Sequence, residues 1–300
     1  MNLLISGGTG SLGHSLVEYY ADKFDKVIVF SRDELKQYEM AQEYSHLLNL
    51  RFFLGDVRDI DRLKQVCRDV DVVIHTAALK QVPTLEYNPL EAIKTNIQGS
   101  VNIIEACVSC GIKKAVLIST DKAVNPVNLY GATKLAAEKL FLAANSYNKT
   151  IFSCVRYGNV LGSRGSVVPF FKKLISQGIR EFPITDLNMT RFWITLKQAV
   201  GLVNFALEDS LPKIYVPKIP SCKITDIAKY LCPDCTFKDI GIRAGEKLHE
   251  SLISADDWQN IVFVEDNRKI SLDNLPYTSY NNEQWLTKEL FNELCETDNG

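Results

Sequence analysis

The chain opens with a strand, a glycine turn and a helix that follow one another without a spacer, and this succession restricts the fold more than any other stretch. Asn2-Leu-Leu-Ile-Ser6 is an apolar strand, Gly7-Gly-Thr-Gly10-Ser-Leu-Gly13 is the turn, and Leu16, Val17 and Tyr20 repeat at helical spacing. The glycines allow a tight turn, close approach of a pyrophosphate to the backbone and close packing of helix on strand. The helix start adds the N–H groups that hold the anion. A glycine-rich turn alone is a weak sign of a dinucleotide site; set between a strand and a helix it is a strong one.

The alternation continues. Lys26-Val-Ile-Val-Phe30 is a second strand, and its tip reads Ser31-Arg-Asp-Glu34. An acid near such a tip holds the ribose hydroxyl of NAD, whereas an arginine accommodates the extra phosphate of NADP. Arg32 comes first and Asp33 after it, an order that favours NADP while leaving NAD open; a solvated charged loop would read the same way. Arg51-Phe-Phe-Leu-Gly-Asp-Val57 gives a third strand with Asp56 at its end, suited to an adenine amino group. Asp71-Val-Val-Ile-His-Thr-Ala-Ala78 gives a fourth, with small residues such as Ala78 where a cofactor would lie against the backbone.

After the next apolar run, Ala115-Val-Leu-Ile118, the chain changes from packing to chemistry. Asp121 and Lys122 end this strand at its carboxyl side, which faces the ligand crevice in an open parallel sheet. Tyr130 and Lys134 stand one helical turn apart and share a helix face, where an ammonium favours the phenolate of its neighbour. That spacing is common on surface helices and gains weight here from the dinucleotide site upstream. An acid, an amine and a tyrosine–lysine pair thus gather within one short stretch.

At 300 residues and 46% apolar composition the chain can bury a large core. A formal charge of −2 offers no general basic footprint for nucleic acid. No run of about eighteen apolar residues is present to span a membrane, and a strand begins almost at Met1, leaving no room for a signal peptide. The expected location is the cytoplasm. The eight cysteines suit a reducing compartment. Cys107-Val-Ser-Cys110 and Cys232-Pro-Asp-Cys235 are far apart and lack flanking ligands, so they read as buried or incidental thiols rather than a zinc site. Cys232 follows a helical run, which argues against a thioredoxin-like role. His14, His46, His75 and His249 are scattered and read as structural, and no metal is expected.

Beyond residue 160 the character changes. Ile151-Phe-Ser-Cys-Val-Arg-Tyr-Gly-Asn159 is a sixth strand, and a glycine-rich loop from Val160 to Pro169 leads into a helix from Phe170. Met189-Thr-Arg-Phe-Trp-Ile-Thr195 and Ile240-Gly-Ile-Arg-Ala-Gly-Glu-Lys-Leu-His-Glu250 set arginines beside aromatics and glycines, as a nucleotide diphosphate or a pair of surface ion pairs would use. Leu196–Leu207 is an amphipathic helix expected to pack back on the first lobe. The division expected is residues 1–160 for the dinucleotide and 161–300 for the substrate, partly interleaved.

These residues resemble the extended short-chain dehydrogenase/reductases that act on nucleotide sugars. More closely, Phe30–Gln37, Ala77–Lys80, Ser119–Ala123, Arg156–Val160, Gly162–Phe171, Met189–Thr195 and Gly245–Glu250 are similar to the inverting UDP-N-acetylglucosamine 4,6-dehydratases of the pseudaminic-acid pathway, nearly end to end. Large membrane-bound dehydratases carry methionine where this chain has Tyr130, which points to the small soluble branch. The resemblance implies an α/β fold, a Rossmann-type doubly wound parallel sheet with a smaller C-terminal substrate-binding lobe, and a homo-oligomer. It implies NADP contacts from Thr9, Gly10, Ser11, Leu12, Ser31, Arg32, Asp33, Glu34, Leu35, Lys36, Asp56, Val57, Thr76, Thr95, Tyr130 and Lys134, together with Gly7 and Gly13 of the turn. It implies UDP-sugar contacts from Lys80, Thr120, Asn159, Thr185, Arg191, Arg243 and Glu246.

The chemistry expected is a 4,6-dehydration. Tyr130, a phenolate held by Lys134, takes the 4-hydroxyl proton as hydride leaves carbon 4; a neutral Lys122, its pKa lowered by cationic neighbours, removes the proton on carbon 5; a protonated Asp121 releases the 6-hydroxyl as water. The alternatives are a nucleotide-sugar 4-epimerase, which needs no elimination groups, and a retaining dehydratase, which typically carries Asp-Glu where this chain has Asp121-Lys122. A cofactor-sensing protein without catalysis would have no use for the tyrosine–lysine pair. Departures from the resemblance are Gln81 in place of histidine, Ala244 in place of proline, the Cys232–Cys235 segment, and a shorter stretch between Glu250 and Asn281.

Overall fold

The computed structural model describes residues 1–146, 149–163, 165–271 and 276–297. The apolar runs become strands and the amphipathic segments helices, in the order β1 (Asn2–Ser6), α1 (Ser11–Tyr20), β2 (Lys26–Ser31), α2 (Glu34–Glu43), β3 (Leu50–Leu54), α3 (Ile60–Val66) and β4 (Val72–His75). Helices α4 (Val82–Tyr87) and α5 (Pro89–Ala92) lead through a π-turn at Ile93–Gln98 into α6 (Gly99–Cys110). Then come β5 (Lys114–Thr120), a 3₁₀ turn at Asp121–Ala123, α7 (Leu129–Ala144) and β6 (Ile151–Tyr157). The strands lie side by side as β3-β2-β1-β4-β5-β6, all parallel. Leu3, Leu4, Ile5, Val27, Val29 and Ile74 are buried on both faces, as continuous Val/Ile/Leu runs must be when helices cover a parallel sheet. The order reverses between β1 and β4, and a crevice opens there beyond the carboxyl ends.

The second half of the chain supplies β7 (Asn159–Val160), α8 (Val167–Ser176), β8 (Glu181–Ile184), β9 (Thr190–Ile194), α9 (Leu196–Asp209), β10 (Ile214–Pro217), β11 (Ser221–Lys223) and α10 (Ile224–Leu231). It continues with β12 (Thr236–Asp239), β13 (Ser251–Ile253), β14 (Ile261–Glu265), β15 (Arg268–Lys269), β16 (Tyr277–Thr278) and α11 (Lys288–Thr297). Strands β10 and β14 extend the central sheet in parallel beyond β6, and β15 ends it antiparallel. The remaining strands form small sheets, β11-β9-β7, β12-β8 and β13-β16, and a second apolar core gathers Phe171, Phe182 and Trp193. Helix α9 packs against α1, β5 and β6, so the two halves interleave through the sheet as well as through this helix.

Two boundaries differ from the sequence reading. The sixth strand stops at Tyr157 because a Cβ on Gly158 would lie 2.5 Å from Phe192 Cβ; the chain bends there, and Asn159–Val160 pairs with Trp193–Ile194. Helix α8 begins at Val167, not Phe170. Pro169 sits in its first turn, where a missing N–H costs nothing.

Candidate active site

A cleft of about 650 Å³ runs along the carboxyl ends of β1, β2, β4, β5 and β6, within the range of ligand sites. Its floor is the glycine turn. Gly7 has φ +70°, and a Cβ there would stand 2.7 Å from the Ala77 backbone, while one on Gly13 would stand 2.1 Å from Gly8 O. Gly10 begins α1 without a side-chain cap, which leaves the first N–H groups of the helix for an anion. Thr9 Oγ1 and Ser31 Oγ, 2.9 Å apart, tie the turn to the tip of β2. Ser11 and Leu12 line the cleft with them.

At that tip the two charged candidates part company. Asp33 caps α2, accepting from Lys36 N at 3.1 Å and pairing with Lys36 Nζ at 3.0 Å. Those bonds hold its carboxyl below the usual range. Arg32, its side chain 53% exposed, lines the cleft with Nη1 3.7 Å from Asp56. Burial works against the Asp56 carboxylate, but Arg58 at 2.7 Å and Arg32 hold it below the usual range. Asp33, Lys36, Val57, Thr76 and Ala78 also line the cleft; Glu34 and the exposed Leu35 do not.

Two buried hydroxyls on the cleft wall, Thr95 Oγ1 and Ser119 Oγ, have no hydrogen-bond partner among the described residues. Buried hydroxyls are seldom left so, and together with the glycine floor they fit a dinucleotide lying in this groove. Thr95 reaches the cleft from the π-turn, a feature frequent at functional sites. Asn96 of the same turn accepts from Leu79 N at 2.8 Å and donates to Leu79 O at 2.9 Å and Thr133 Oγ1 at 3.0 Å, pinning the Leu79 loop to α7. Sequence reading missed Ser119 and Asn96 as site residues. The local signals were a polar residue at the carboxyl end of an apolar strand, for Ser119, and a polar residue in a helical stretch, for Asn96.

The chemical groups meet at the other end. Asn128 caps α7, accepting from Gly131 N at 2.7 Å, and α7 brings both Tyr130 and Lys134 to the cleft. A Cβ on Gly131 would lie 2.1 Å from Lys122 O, so α7 rests directly on the Asp121–Ala123 turn. Thr120 Oγ1 donates to Asp121 Oδ1 at 3.0 Å. Lys122 Nζ donates to the same oxygen at 3.0 Å and to Asn159 Oδ1 at 3.5 Å, and pairs with Glu250 Oε1 at 3.6 Å. Asp121 is fully buried, and its Oδ2 has no partner among the described residues.

This electrostatic setting corrects two expectations. Burial works against the Lys122 ammonium, but Asp121 and Glu250 outweigh burial and Arg191, and the pKa is pushed up to about 12. Lys122 is therefore a protonated amine among carboxylates, not a neutral one among cations. Burial raises Tyr130, and the cation that opposes this is Lys122, not Lys134. Burial pushes Lys134 down to about 8 against the pull of Glu138 and Cys154.

Of the expected sugar contacts, Lys80, Thr120 and Asn159 line the cleft, and burial lowers the Lys80 pKa. Thr185, Arg191, Arg243 and Glu246 do not line it. Thr185 Oγ1 donates to Met189 Sδ at 3.5 Å. Arg191 is buried and donates to the carbonyls of Thr190, Lys247 and Leu248. Its guanidinium anchors segment 247–250 to β9 instead of facing a diphosphate. Arg243, exposed, pairs with Glu246 at 3.8 Å beside Gly245, whose carbonyl accepts from Asn128 Nδ2. Arg164 of the glycine-rich loop lies outside the described residues. Among those residues no group of three or more His, Cys, Asp or Glu gathers as metal ligands, and no helix is long and apolar enough to cross a membrane.

Residues 3–271 match the polysaccharide biosynthesis protein family. A UDP-N-acetylglucosamine 4,6-dehydratase (inverting) from Campylobacter jejuni is 50% identical over 99% of this chain and 98% of its own. A UDP-glucose 4-epimerase from Rickettsia canadensis is 41% identical over 93% of this chain and 85% of its own. The X-ray structure of Pen from Bacillus thuringiensis superposes with a TM-score of 0.89 at 34% identity, over 99% of this chain and 98% of that one.

Proposed function

Because the chain belongs to the polysaccharide biosynthesis protein family, we propose that it is an NADP-dependent UDP-N-acetylglucosamine 4,6-dehydratase of the inverting type. Its product is the 4-keto-6-deoxy sugar of L-arabino configuration, a precursor for nonulosonic (pseudaminic) acid and surface glycans. The observation that carries this reading is the Asp121–Lys122 pair, 3.0 Å apart beside Tyr130, at the end of a dinucleotide cleft. Arg32 open to the cleft, with Asp33 occupied as a helix cap, supports NADP over NAD.

The glycine turn, Arg32, Asp56 and Thr95 would hold NADP, which when bound would supply the hydride acceptor for carbon 4 and the donor for carbon 6. Tyr130 takes the 4-hydroxyl proton, helped by the charge of Lys122. The ketone formed at carbon 4 acidifies the hydrogen on carbon 5. Lys122 cannot accept that proton as an ammonium. Asp121, at hydrogen-bond distance, can first take one proton from it, and a single transfer then creates both the amine base and the carboxylic acid that elimination needs. The amine removes the carbon-5 proton, the acid protonates the departing 6-hydroxyl, and water leaves. Lys122, again an ammonium, returns a proton to carbon 5 and is left as an amine, and transfer to it of the proton gained by Tyr130 restores the starting state.

Incubation with UDP-N-acetylglucosamine in heavy water, followed by NMR, tests the reading. The expected product carries a carbon-6 methyl group, one solvent deuterium at carbon 5 and L-arabino couplings. A 4-epimer that keeps its 6-hydroxyl would instead establish the epimerase reading, which the Rickettsia relative favours and in which Asp121 and Lys122 have no task. A D-xylo product formed first would mean that the base is misplaced.

A further inference from the structure

Segment 245–250 crosses back from the C-terminal half onto the Asp121 turn. Asn128 Nδ2 donates to Gly245 O at 2.7 Å, Lys247 Nζ donates to Val124 O, and Arg191 donates to Lys247 O and Leu248 O at 3.0 and 3.2 Å. These bonds deliver Glu250, 3% exposed, to Lys122. The backbone of Glu250 is held on both sides by Ser279, which accepts from Glu250 N at 3.0 Å and donates its own N–H to Glu250 O at 2.8 Å.

The carboxylate stands among three cations. Oε1 is 3.6 Å from Lys122 Nζ and 4.0 Å from Arg191 Nε, and Oε2 is 3.7 Å from Lys247 Nζ. Oε2 accepts no hydrogen bond among the described residues. A buried carboxylate built only for stability would close hydrogen bonds with its partners, since an unsatisfied buried charge is costly. Here the distance to Lys122 is too long for a hydrogen bond but short enough for strong attraction in a buried site. Lys122 hydrogen-bonds to Asp121, its neighbour in sequence, at 3.0 Å, and Glu250 attracts the same ammonium from the C-terminal half at 3.6 Å. The groups facing Lys122 are thus Asp121 on its own turn, Tyr130 on α7, Asn159 on β7, Arg191 on β9 and Glu250, with Lys247 drawing on Glu250.

Resting on the dehydratase reading, we infer that Glu250 is a positioning residue for the elimination half of the reaction: it holds Lys122 extended between Asp121 and the cleft, where its amine can reach carbon 5. Oxidation at carbon 4 depends on Tyr130, the cofactor and the charge of Lys122, and that charge is still supported without Glu250 by Asp121 at 3.0 Å, so oxidation is affected far less than elimination. Loss of Glu250 therefore separates the two half-reactions, which a general structural defect would slow together.

The test is stopped-flow absorbance of the reduced nicotinamide in the full-length, NADP-loaded protein mixed with UDP-N-acetylglucosamine. In Glu250→Gln the signal forms at a rate within about twofold of wild type and then decays at least tenfold more slowly, so reduced cofactor accumulates; KM stays within about twofold. Glu250→Asp retains the charge but withdraws the carboxylate by one methylene, and its decay slows roughly three- to tenfold. This second variant decides the matter if the glutamine protein does not fold. Formation and decay slowed by the same factor, or an unchanged decay in Glu250→Asp, would overturn the inference. A wild-type protein that turns over without forming a 6-deoxy product would overturn the dehydratase reading itself, and the inference with it, a result distinct from either.

Discussion

Arg32→Ala isolates the reading of the cofactor. A hydrogen bond to a charged group contributes about 1.5–3 kcal/mol, and with its side chain 53% exposed Arg32 belongs at the lower end, about 1.5–2 kcal/mol. That range corresponds to roughly 12- to 30-fold weaker binding of NADPH. NADH lacks the 2′-phosphate, so its affinity should stay within about twofold. Isothermal titration of both reduced cofactors against both proteins measures the difference directly. Raising the salt concentration should narrow the wild-type preference, because the contact is solvent-exposed and screened. Asp33→Asn is the companion variant: asparagine still caps α2, so NADH affinity should not fall. The reasoning fails if Arg32→Ala weakens both cofactors equally, or if Asp33→Asn weakens NADH, since Asp33 would then be reading the ribose despite its bonds to Lys36.

Lys134, pushed from 10.5 down to about 8 by burial, binds its proton less well folded than unfolded. The folded state carries the full penalty below pH 8, and stability rises with pH from about 8 to 10.5. Lys134→Met should therefore stabilise the cofactor-free protein at pH 7 by up to about 3 kcal/mol in urea unfolding, with the gain vanishing near pH 10.5 and activity lost. A loss of stability at pH 7 would contradict this. Arg156 is buried and pairs in bidentate fashion with Glu138 at 3.0 and 2.7 Å; Arg156→Met should cost about 3–5 kcal/mol, and adding Glu138→Gln should recover at least half of it. Gly131→Ala forces a methyl group against Lys122 O and displaces the Asp121–Ala123 turn, so on the proposed mechanism kcat should fall about 100-fold while NADPH affinity, measured by titration, stays within about twofold.

Adjacent residues carried the parts of this protein that could be read in advance. The strand–glycine–helix opening, the strand that ends at Asp121 and the helix that brings Tyr130 and Lys134 to one cleft depend on local periodicity and turn chemistry. What stayed hidden depends on partners remote in sequence. The sixth strand breaks at Gly158 because of Phe192, Arg191 turns inward because the carbonyls of Lys247 and Leu248 reach it, and Lys122 keeps its proton partly because Glu250 lies beside it. The π-turn that presents Thr95 has no sequence signature to find. The shorter stretch between Glu250 and Asn281 carries β13 to β16, and none of its described residues line the cleft.

The same scaffold serves epimerases and dehydratases, and the structure indicates where they can diverge. Both reactions begin with oxidation at carbon 4, which needs a tyrosine and a dinucleotide groove, so β1 to β5 and α7 are common to both tasks. An epimerase then returns the hydride to the same carbon. A dehydratase must also move two protons at carbons 5 and 6, and only groups just beyond the tyrosine can reach them. In this chain the groups we assign to that task, Asp121 and Lys122, sit on a single 3₁₀ turn that packs against α7 at Gly131 and is faced by a carboxylate from the C-terminal half. The dehydratase assignment therefore rests on a turn of three residues, and exchange of Asp121-Lys122 within it should change the outcome at carbons 5 and 6 while leaving the first oxidation in place.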